Sequence, residues 1–489
     1  METHAHDDIA AIQFDLLIDG DLVTGDRTLD VIDPSTGGTL ATGACASEAQ
    51  LEQAVAAAAK AFPGWAATTI AERQRVLSAM ADAIDANAET LARIVTSEQG
   101  KPIGDARAEV GGLSYFMRYY AALDLPVDLH EDGDNRRVEI HRAPLGVVAA
   151  ITPWNFPILI GGNKIAAAML AGNCVVLKPA PSTPLSALYL GMLVRDVVPA
   201  GVLNVLADRN DLGERLTHHP LVRKISFTGS TTTGARVMQA ASSTIKRVTL
   251  ELGGNDAGIV LDDCDPATVA PKLFGAAFMN NGQVCVAMKR VYVADSQYDA
   301  ICDAMADLAR AAVVGPGLQQ GTQLGPVQNR QQFDKLKSLI EETRGAGTII
   351  AGGDSPEGDG YFINPTIVRD IADDARLVTD EQFGPVLPIL RYSNLDDAIA
   401  RANDTSFGLG NSVWSADPAR AGAVAARLDS GTVWINQHGD ITPDTPFAGA
   451  KMSGLGVEFG QDGLREFTQT KVVNYAKTSH VVPVAEGVA

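Results

Sequence analysis

Two short segments carry side chains that can make and break an acyl bond. Leu250-Glu251-Leu252-Gly253-Gly254-Asn255 sets a carboxylate among glycines, and Asn281-Gly282-Gln283-Val284-Cys285 ends on a thiol. A thiolate can attack a carbonyl carbon, and a carboxylate can deprotonate the water that later hydrolyses the thioester. Glycines beside each group let the backbone turn and other groups approach closely. The small, polar neighbours Asn281 and Gly282 argue for an accessible loop around Cys285. Cys45, Cys174, Cys264 and Cys302 read as buried structural thiols. No CxxC pair or Cys/His cluster suggests a metal site. No histidine near Cys285 in sequence is placed to activate it. Backbone dipoles, a water or Glu251 must do so.

Such groups need elements to hold them. From residue 147, β-rich runs at 147–151, 174–177, 202–206, 224–227 and 247–250 alternate with helical stretches. That repetition predicts a parallel, doubly wound sheet, which takes ligands at the carboxyl ends of its strands. Thr183 is the expected N-cap of the helix after the second strand, with Pro184 in its first turn. Helical periodicity covers 48 to about 98, Gly100-Lys101-Pro102 breaks it, and a further helix runs to about 122. A second alternating region extends to about 453, with strand candidates at 257–261, 291–293, 386–390 and 431–436. It carries Cys285. The polar segment 136–142 follows a turn at Asp132-Gly133-Asp134-Asn135 and is expected to pair with 471–475. Such a ribbon is hard to bury within one subunit, so a homodimer or homotetramer is expected.

Hydrophobic residues are 46% of the 489 and charged residues 20%, the balance of a globular chain of two or three domains. With 39 basic and 59 acidic residues the formal charge is −20. No basic excess exists to neutralise phosphates, which disfavours nucleic acid or an anionic membrane as partner. The first residues lack a basic, apolar leader, and no run of eighteen apolar residues occurs. With scattered, unpaired cysteines, the expected location is cytoplasmic.

Several motifs now combine. Ile151-Thr152-Pro153-Trp154-Asn155-Phe156-Pro157, Phe227-Thr228-Gly229-Ser230, the Glu251 and Cys285 segments, Glu381-Gln382-Phe383-Gly384-Pro385, and Pro446-Phe447-Ala448-Gly449-Ala450-Lys451-Met452-Ser453-Gly454 stand in order. Together they resemble the signature motifs of the aldehyde dehydrogenase superfamily, over nearly the whole chain. The resemblance implies an α/β, aldehyde dehydrogenase-like fold. A Rossmann-type cofactor domain would span 1–122 and 145–252, and a second α/β catalytic domain 253–454. A small β oligomerisation extension would comprise 123–144 and 470–489.

It also implies roles. Cys285 is the nucleophile, Glu251 the base, and Asn155 the oxyanion donor with the Cys285 backbone N–H, though Asn155 could instead cap the following helix. Lys164 and Glu458 lie near the active site, where Glu458 could relay the proton from Glu251 or simply form an ion pair. The cofactor set is Ile151, Thr152, Pro153, Trp154, Lys178, Pro181, Arg209, Phe227, Gly229, Ser230, Leu252, Gly253, Glu381 and Phe383. Within it Lys178 meets the adenine ribose, Ser230 the pyrophosphate, and Glu381 the nicotinamide ribose. Substrate would meet Phe156, Ile160, Val284, His438 and Phe447. No metal is implied.

Two departures matter. Pro181 stands where many NAD-specific members carry a ribose-binding glutamate, which removes a repulsion against a 2′-phosphate. Arg209 could reach that phosphate, with Asp208 and Asp211 opposing. Either NAD or NADP is therefore admitted. Asn163 occupies the position where semialdehyde-acting members need an arginine. The expected reaction is oxidation of an uncharged aliphatic or aromatic aldehyde to its acid. A CoA-acylating enzyme would lack Glu251. The remaining alternatives are a semialdehyde dehydrogenase and a cysteine-dependent esterase, the latter with no use for Lys178, Glu381 or Phe383.

Overall fold

The computed structural model describes residues 9–477. Its first sheet has eight strands, ordered Asp21–Val23, Leu16–Ile18, Leu203–Val205, Cys174–Lys178, Val147–Ile151, Val222–Thr228, Arg247–Glu251 and Gly454–Leu455. The five from Leu203–Val205 to Arg247–Glu251 are parallel. In chain order they run 3-2-1-4-5, the doubly wound arrangement, with its reversal between Val147–Ile151 and Val222–Thr228. The loops at that reversal carry Thr152 to Asn155 on one side and Gly229-Ser230 on the other. The last strand was not expected. After the second α/β region the chain returns, and Glu251 pairs with Gly454.

The second sheet has seven strands: Thr348–Ala351, Thr366–Arg369, Val386–Tyr392, Met288–Ala294, Asp256–Val260, Gly410–Trp414 and Thr432–Ile435. All neighbours are parallel except the first pair. Helices cover both faces, so side chains on each strand are buried alternately on either side. Val291 and Val293 join one cluster, Tyr292 and Ala294 the other.

The helical lobe forms as expected, as Glu48–Ala66, Ile70–Ala86, Ala88–Gln99 and Ile103–Ala121. Ser47 and Thr69 close capping boxes with Gln50 and Glu72. Gly100 ends the third helix at φ 98°, a left-handed C-cap that glycine adopts freely. One cap differs. The helix Leu185–Val194 has no Thr183 cap, and the Thr183 hydroxyl has no partner among the described residues. Glu98, distant in sequence, accepts from the Leu185 and Ser186 amides at 2.7 and 3.0 Å. A buried carboxylate reaching in from the helical lobe displaces the local hydroxyl.

The polar ribbon is present. Asp128–Asp132 and Arg136–Pro144 form a hairpin, and Thr468–Ala476 pairs antiparallel with the second, Lys471 opposite His141 and Tyr475 opposite Arg137. Leu129, Val472 and Tyr475 are exposed along it. The part of the expected extension at 478–489 lies outside the described residues.

Candidate active site

Cys285 sits between a short 3-10 turn, Met279–Gly282, and the strand Met288–Ala294. Asn280, Asn281 and Gly282 have φ of 49°, 56° and 72°. Three successive left-handed residues are sterically costly for all but Gly, Asn and Asp, so the Asn-Asn-Gly sequence is what permits this turn. A Cβ on Gly282 would strike the Gly384 carbonyl, which presses the loop against the Glu381–Pro385 motif. Cys285 is half-buried, whereas Cys45, Cys174, Cys264 and Cys302 are buried. Burial of its surroundings pushes its thiol up to about 12, against the pull of the Lys289 ammonium. Lys289 is itself buried and donates to the Val284 carbonyl at 2.6 Å. The sequence reading passed over it. A Lys-Arg pair inside an otherwise apolar strand was the available signal.

Glu251 ends its strand, 5% exposed. Neither carboxyl oxygen has a hydrogen-bond partner among the described residues. Burial first, then the charge of Glu458, holds its pKa well above the usual carboxylate range, with Lys164 opposing. Lys164 and Glu458 are a buried ion pair. The Lys164 ammonium also donates to Ser226 Oγ at 3.0 Å, and Asn163 donates to Glu458 at 3.3 Å. The Asn163 side chain is thus committed inward.

Asn155 is 3% exposed, and its side-chain amide donates to the Gln283 carbonyl at 3.0 Å. It does not cap the following helix, Pro157–Leu170, whose N-cap position falls on Phe156 and carries no capping side chain of its own. Its own carbonyl accepts from Lys101 at 2.8 Å and Asn280 at 3.2 Å. Around Cys285 the walls are apolar. Val284, Val286, Trp434 and Phe447 form a cluster against which Phe156, Ile441 and Phe459 pack. Phe459 has φ 64° and meets Phe116 edge-on with ring centroids 5.4 Å apart. Neither phenylalanine stood out in the sequence, because Phe116 follows the periodicity of an ordinary core residue and Phe459 stands alone before a short helix. Ile160 is half-exposed on its helix and is not part of this cluster. His438 lies against the Cys285 loop, with one ring nitrogen 2.7 Å from the Val286 carbonyl and the other 3.0 Å from Ser412 Oγ. Both nitrogens are spent on the protein, and burial lowers its pKa to about 4. Val286, His438 and Gly439 border a cavity of about 600 Å³ that Phe274, Phe278 and Leu308 line on the other side.

The carboxyl edge of the first sheet gathers the other expected residues. A Cβ on Gly253 would overlap the Glu381 carboxylate, whose other oxygen accepts the Gly254 amide at 3.0 Å. Trp154 and Phe383 meet edge-on at 5.3 Å. Ser230 caps the helix Thr231–Ser242, and a Cβ on Gly229 would strike the tip of the Phe227 ring. Leu252 fills the space beside Gly234. Ile151 ends its strand, and the amide of Thr152 bonds to the Lys178 carbonyl at 3.1 Å. Lys178 pairs with the fully buried Asp208 at 2.6 Å. Arg209 is exposed, and its guanidinium donates twice to the Thr28 carbonyl, at 3.0 and 2.6 Å. Pro153 and Pro181 are half-buried at the rim.

The sequence profile of the aldehyde dehydrogenase family matches residues 22–473. The chain belongs to this family and is an aldehyde dehydrogenase enzyme. A phenylacetaldehyde dehydrogenase of Pseudomonas fluorescens is 39% identical over 477 residues, 93% of this chain and 94% of that one. The NAD+ complex of an aldehyde dehydrogenase from Bacillus cereus superposes with TM-score 0.94 at 34% identity, covering 96% and 98% of the two chains. Betaine aldehyde dehydrogenase of Staphylococcus aureus, also with NAD+, gives 0.95 at 30% identity over 99% of each. A nicotinamide dinucleotide suits the sheet edge described above. The helix at Ser230 offers N-terminal amides to a pyrophosphate. The buried hydroxyls of Thr152 and Thr228 lack partners among the described residues, and Gly253 keeps the path beside Glu381 open.

Proposed function

We propose that the chain oxidises an uncharged aliphatic or aromatic aldehyde to the carboxylic acid through a Cys285 thioester. The observation that carries this reading is the partnerless, buried Glu251 carboxyl, raised in pKa and held in the same sheet edge as the nucleotide motifs. A carboxylate whose pKa is raised by burial is a stronger base than an ordinary one. Cys285 Sγ bonds to the aldehyde carbon, and the carbonyl electron pair moves onto oxygen. One Asn155 N–H is spent on Gln283, and the other, with the Cys285 backbone N–H, stabilises that oxyanion. When bound, the nicotinamide cofactor accepts the hydride. Glu251 then takes a proton from water, whose oxygen attacks the thioester carbon, and the C–S bond breaks to restore the thiolate. The Lys164–Glu458 pair behind Glu251 is a route by which that proton leaves.

Ile151 to Trp154, Lys178, Phe227, Gly229, Ser230, Leu252, Gly253, Glu381 and Phe383 hold the cofactor. NAD is favoured over NADP. Asp208 neutralises Lys178, and Arg209 would have to leave Thr28 to reach a 2′-phosphate. Phe156, Val284 and Phe447 contact substrate, and His438 shapes the cavity wall. We also take residues 1–122 with 145–252, 253–454, and 123–144 with 470–489 as the cofactor, catalytic and oligomerisation units. The exposed ribbon then packs on a second copy.

The test pairs a panel of short, long, branched and aromatic aldehydes, plus a carboxylate-bearing semialdehyde, with NAD and NADP in turn. Turnover of uncharged aldehydes by the wild type, absent in Cys285→Ala, is expected. Preference for the semialdehyde would overturn the substrate class. Ester hydrolysis without reduction of either nucleotide would overturn the reaction.

A further inference from the structure

Lys101 is a buried charged group to which the proposed mechanism gives no task. Lys101 follows the helix-ending Gly100, and its side chain is 1% exposed. Its ammonium touches Glu109 at 2.5 Å, the Asn155 carbonyl at 2.8 Å and the face of the Phe156 ring at 3.9 Å from the centroid. The second oxygen of Glu109 accepts from the Ile158 and Leu159 amides, both at 3.2 Å. Every one of these contacts outside the pair itself falls on residues 155–159. An ion pair removed from water is expensive to bury and is a weak source of stability. Its use here is geometric, since it fixes one turn of backbone, residues 155–159.

Asn155 is therefore held at both ends. Its carbonyl is gripped by Lys101 and by Asn280 from the nucleophile loop, while its side-chain amide reaches Gln283 of that same loop. A peptide plane that rotated would swing the amide away from Gln283 and from the aldehyde oxygen together.

We propose that Lys101, through its pair with Glu109, is a positioning residue that holds Asn155 in its oxyanion-binding orientation. This rests on the reading of Asn155 given above. Lys101 touches no substrate and acts only through the 155–159 turn. In Asn155→Ala it therefore has nothing left to position.

The experiment is a stopped-flow measurement, on the full chain with NAD and a good aldehyde, of the first-turnover burst of reduced nicotinamide. Lys101→Met would strand the Glu109 charge. Lys101→Met/Glu109→Gln is therefore measured alongside it, since glutamine keeps an acceptor for the Ile158 and Leu159 amides. Asn155→Ala and the triple variant complete a cycle. The double variant is expected to slow the burst by about 10- to 100-fold, the scale of a small misplacement of a catalytic group. NAD affinity and the far-UV circular dichroism should be unchanged. In the Asn155→Ala background the same two substitutions should slow it no further. A burst unaffected in the folded double variant would overturn the proposal, and so would equal slowing with and without Asn155. If Asn155→Ala itself left the burst unchanged, the oxyanion assignment would fall, and this proposal with it. The single-variant arm tells the two failures apart.

Discussion

The Asn155 side-chain amide donates to the Gln283 carbonyl at 3.0 Å, two residues ahead of Cys285. The two residues come from different sheets, Asn155 from the reversal point of the first and Gln283 from the loop entering the second. Gln283 is anchored in turn, donating to the Asn280 carbonyl at 3.0 Å and accepting the Gln328 amide at 2.8 Å. Asn155 and the loop that carries Cys285 thus form one hydrogen-bonded unit. Their spacing does not depend on the two sheets being independently rigid.

Glu251→Gln separates the two halves of the reaction. The amide cannot take a proton from water, but Cys285 and Asn155 are untouched. Steady-state turnover should fall by about 10²- to 10⁴-fold, the usual contribution of a positioned general base. The first-turnover burst should persist with unchanged amplitude. Thermal stability should hold or rise, because a buried carboxyl without a hydrogen-bond partner among the described residues is replaced by a neutral group. Loss of the burst together with turnover would instead make Glu251 the activator of the thiol.

The pH dependence of that burst follows from the Cys285 thiol, pushed up to about 12 by burial. Only the thiolate attacks, so its fraction is small at neutral pH and grows about tenfold per unit below that value. The burst rate should climb steadily between about pH 6 and 9. Lys289 draws the thiol pKa down, and Lys289→Met should slow the burst at every pH in that window. A flat profile would mean that a proton leaves the thiol in a step with its own base.

Gly253→Ala tests the cofactor edge. The new methyl would meet only the tip of the Glu381 side chain, which can swing aside, so the fold should survive. Displacing that carboxylate should raise the KM for NAD by about tenfold, one hydrogen bond to a charged group, with a smaller change in kcat. An unaltered KM would remove Glu381 from the nucleotide site.

Much of this was legible in sequence because the first sheet is built from short apolar runs with clean helical stretches between them. The strand Gly410–Trp414 was not, although it lies inside the second sheet, between Asp256–Val260 and Thr432–Ile435. Its Asn411 and Ser412 hide the apolar pattern. Both are satisfied internally, Asn411 accepting the Ala257 amide at 2.7 Å and Ser412 accepting from Trp414 Nε1 at 2.9 Å. Cys285, Glu251 and Asn155, the proposed catalytic trio, could be picked out as candidates because each stands in a motif. Lys101 could not, since Gly100-Lys101-Pro102 reads as a helix break and nothing local says where a lysine side chain ends. The same holds for Glu98, whose partners at Leu185 and Ser186 are close only in the folded chain. For His438 the sequence admitted either a contact with substrate or a loop residue without a role, and only the folded chain shows that both its nitrogens meet protein groups.

Arg209→Ala bears on nucleotide choice. Its guanidinium already has the Thr28 carbonyl as acceptor, so it is not a free phosphate ligand. The substitution should leave the ratio of kcat/KM for NAD to that for NADP within about threefold, less than the contribution of one charge-assisted hydrogen bond. A fall of tenfold or more in NADP efficiency alone would show that Arg209 leaves Thr28 to bind the 2′-phosphate.

His438 makes stability depend on pH in a definite direction. Burial against the Cys285 loop lowers its pKa from 6.5 to about 4, with the Val286 carbonyl favouring protonation and the Lys289 charge opposing it. The unfolded chain therefore binds a proton through this window that the folded chain refuses. Stability from this group is complete above about pH 6.5, is lost as pH falls from there to about 4, and changes no further below. The full loss is on the order of 3 kcal/mol. His438→Gln keeps a donor for Val286 and an acceptor for Ser412 but cannot titrate. It gives up contact with the Trp434 ring, whose centroid is 5.0 Å away, so it should melt below wild type at pH 7.5. As pH is lowered to 4.5 the wild type should lose ground and the gap between the two melting temperatures should close. A gap that stays constant across that range would mean that the ring is accommodated in its charged form, with Asp256, 3.8 Å away, as the group able to receive it.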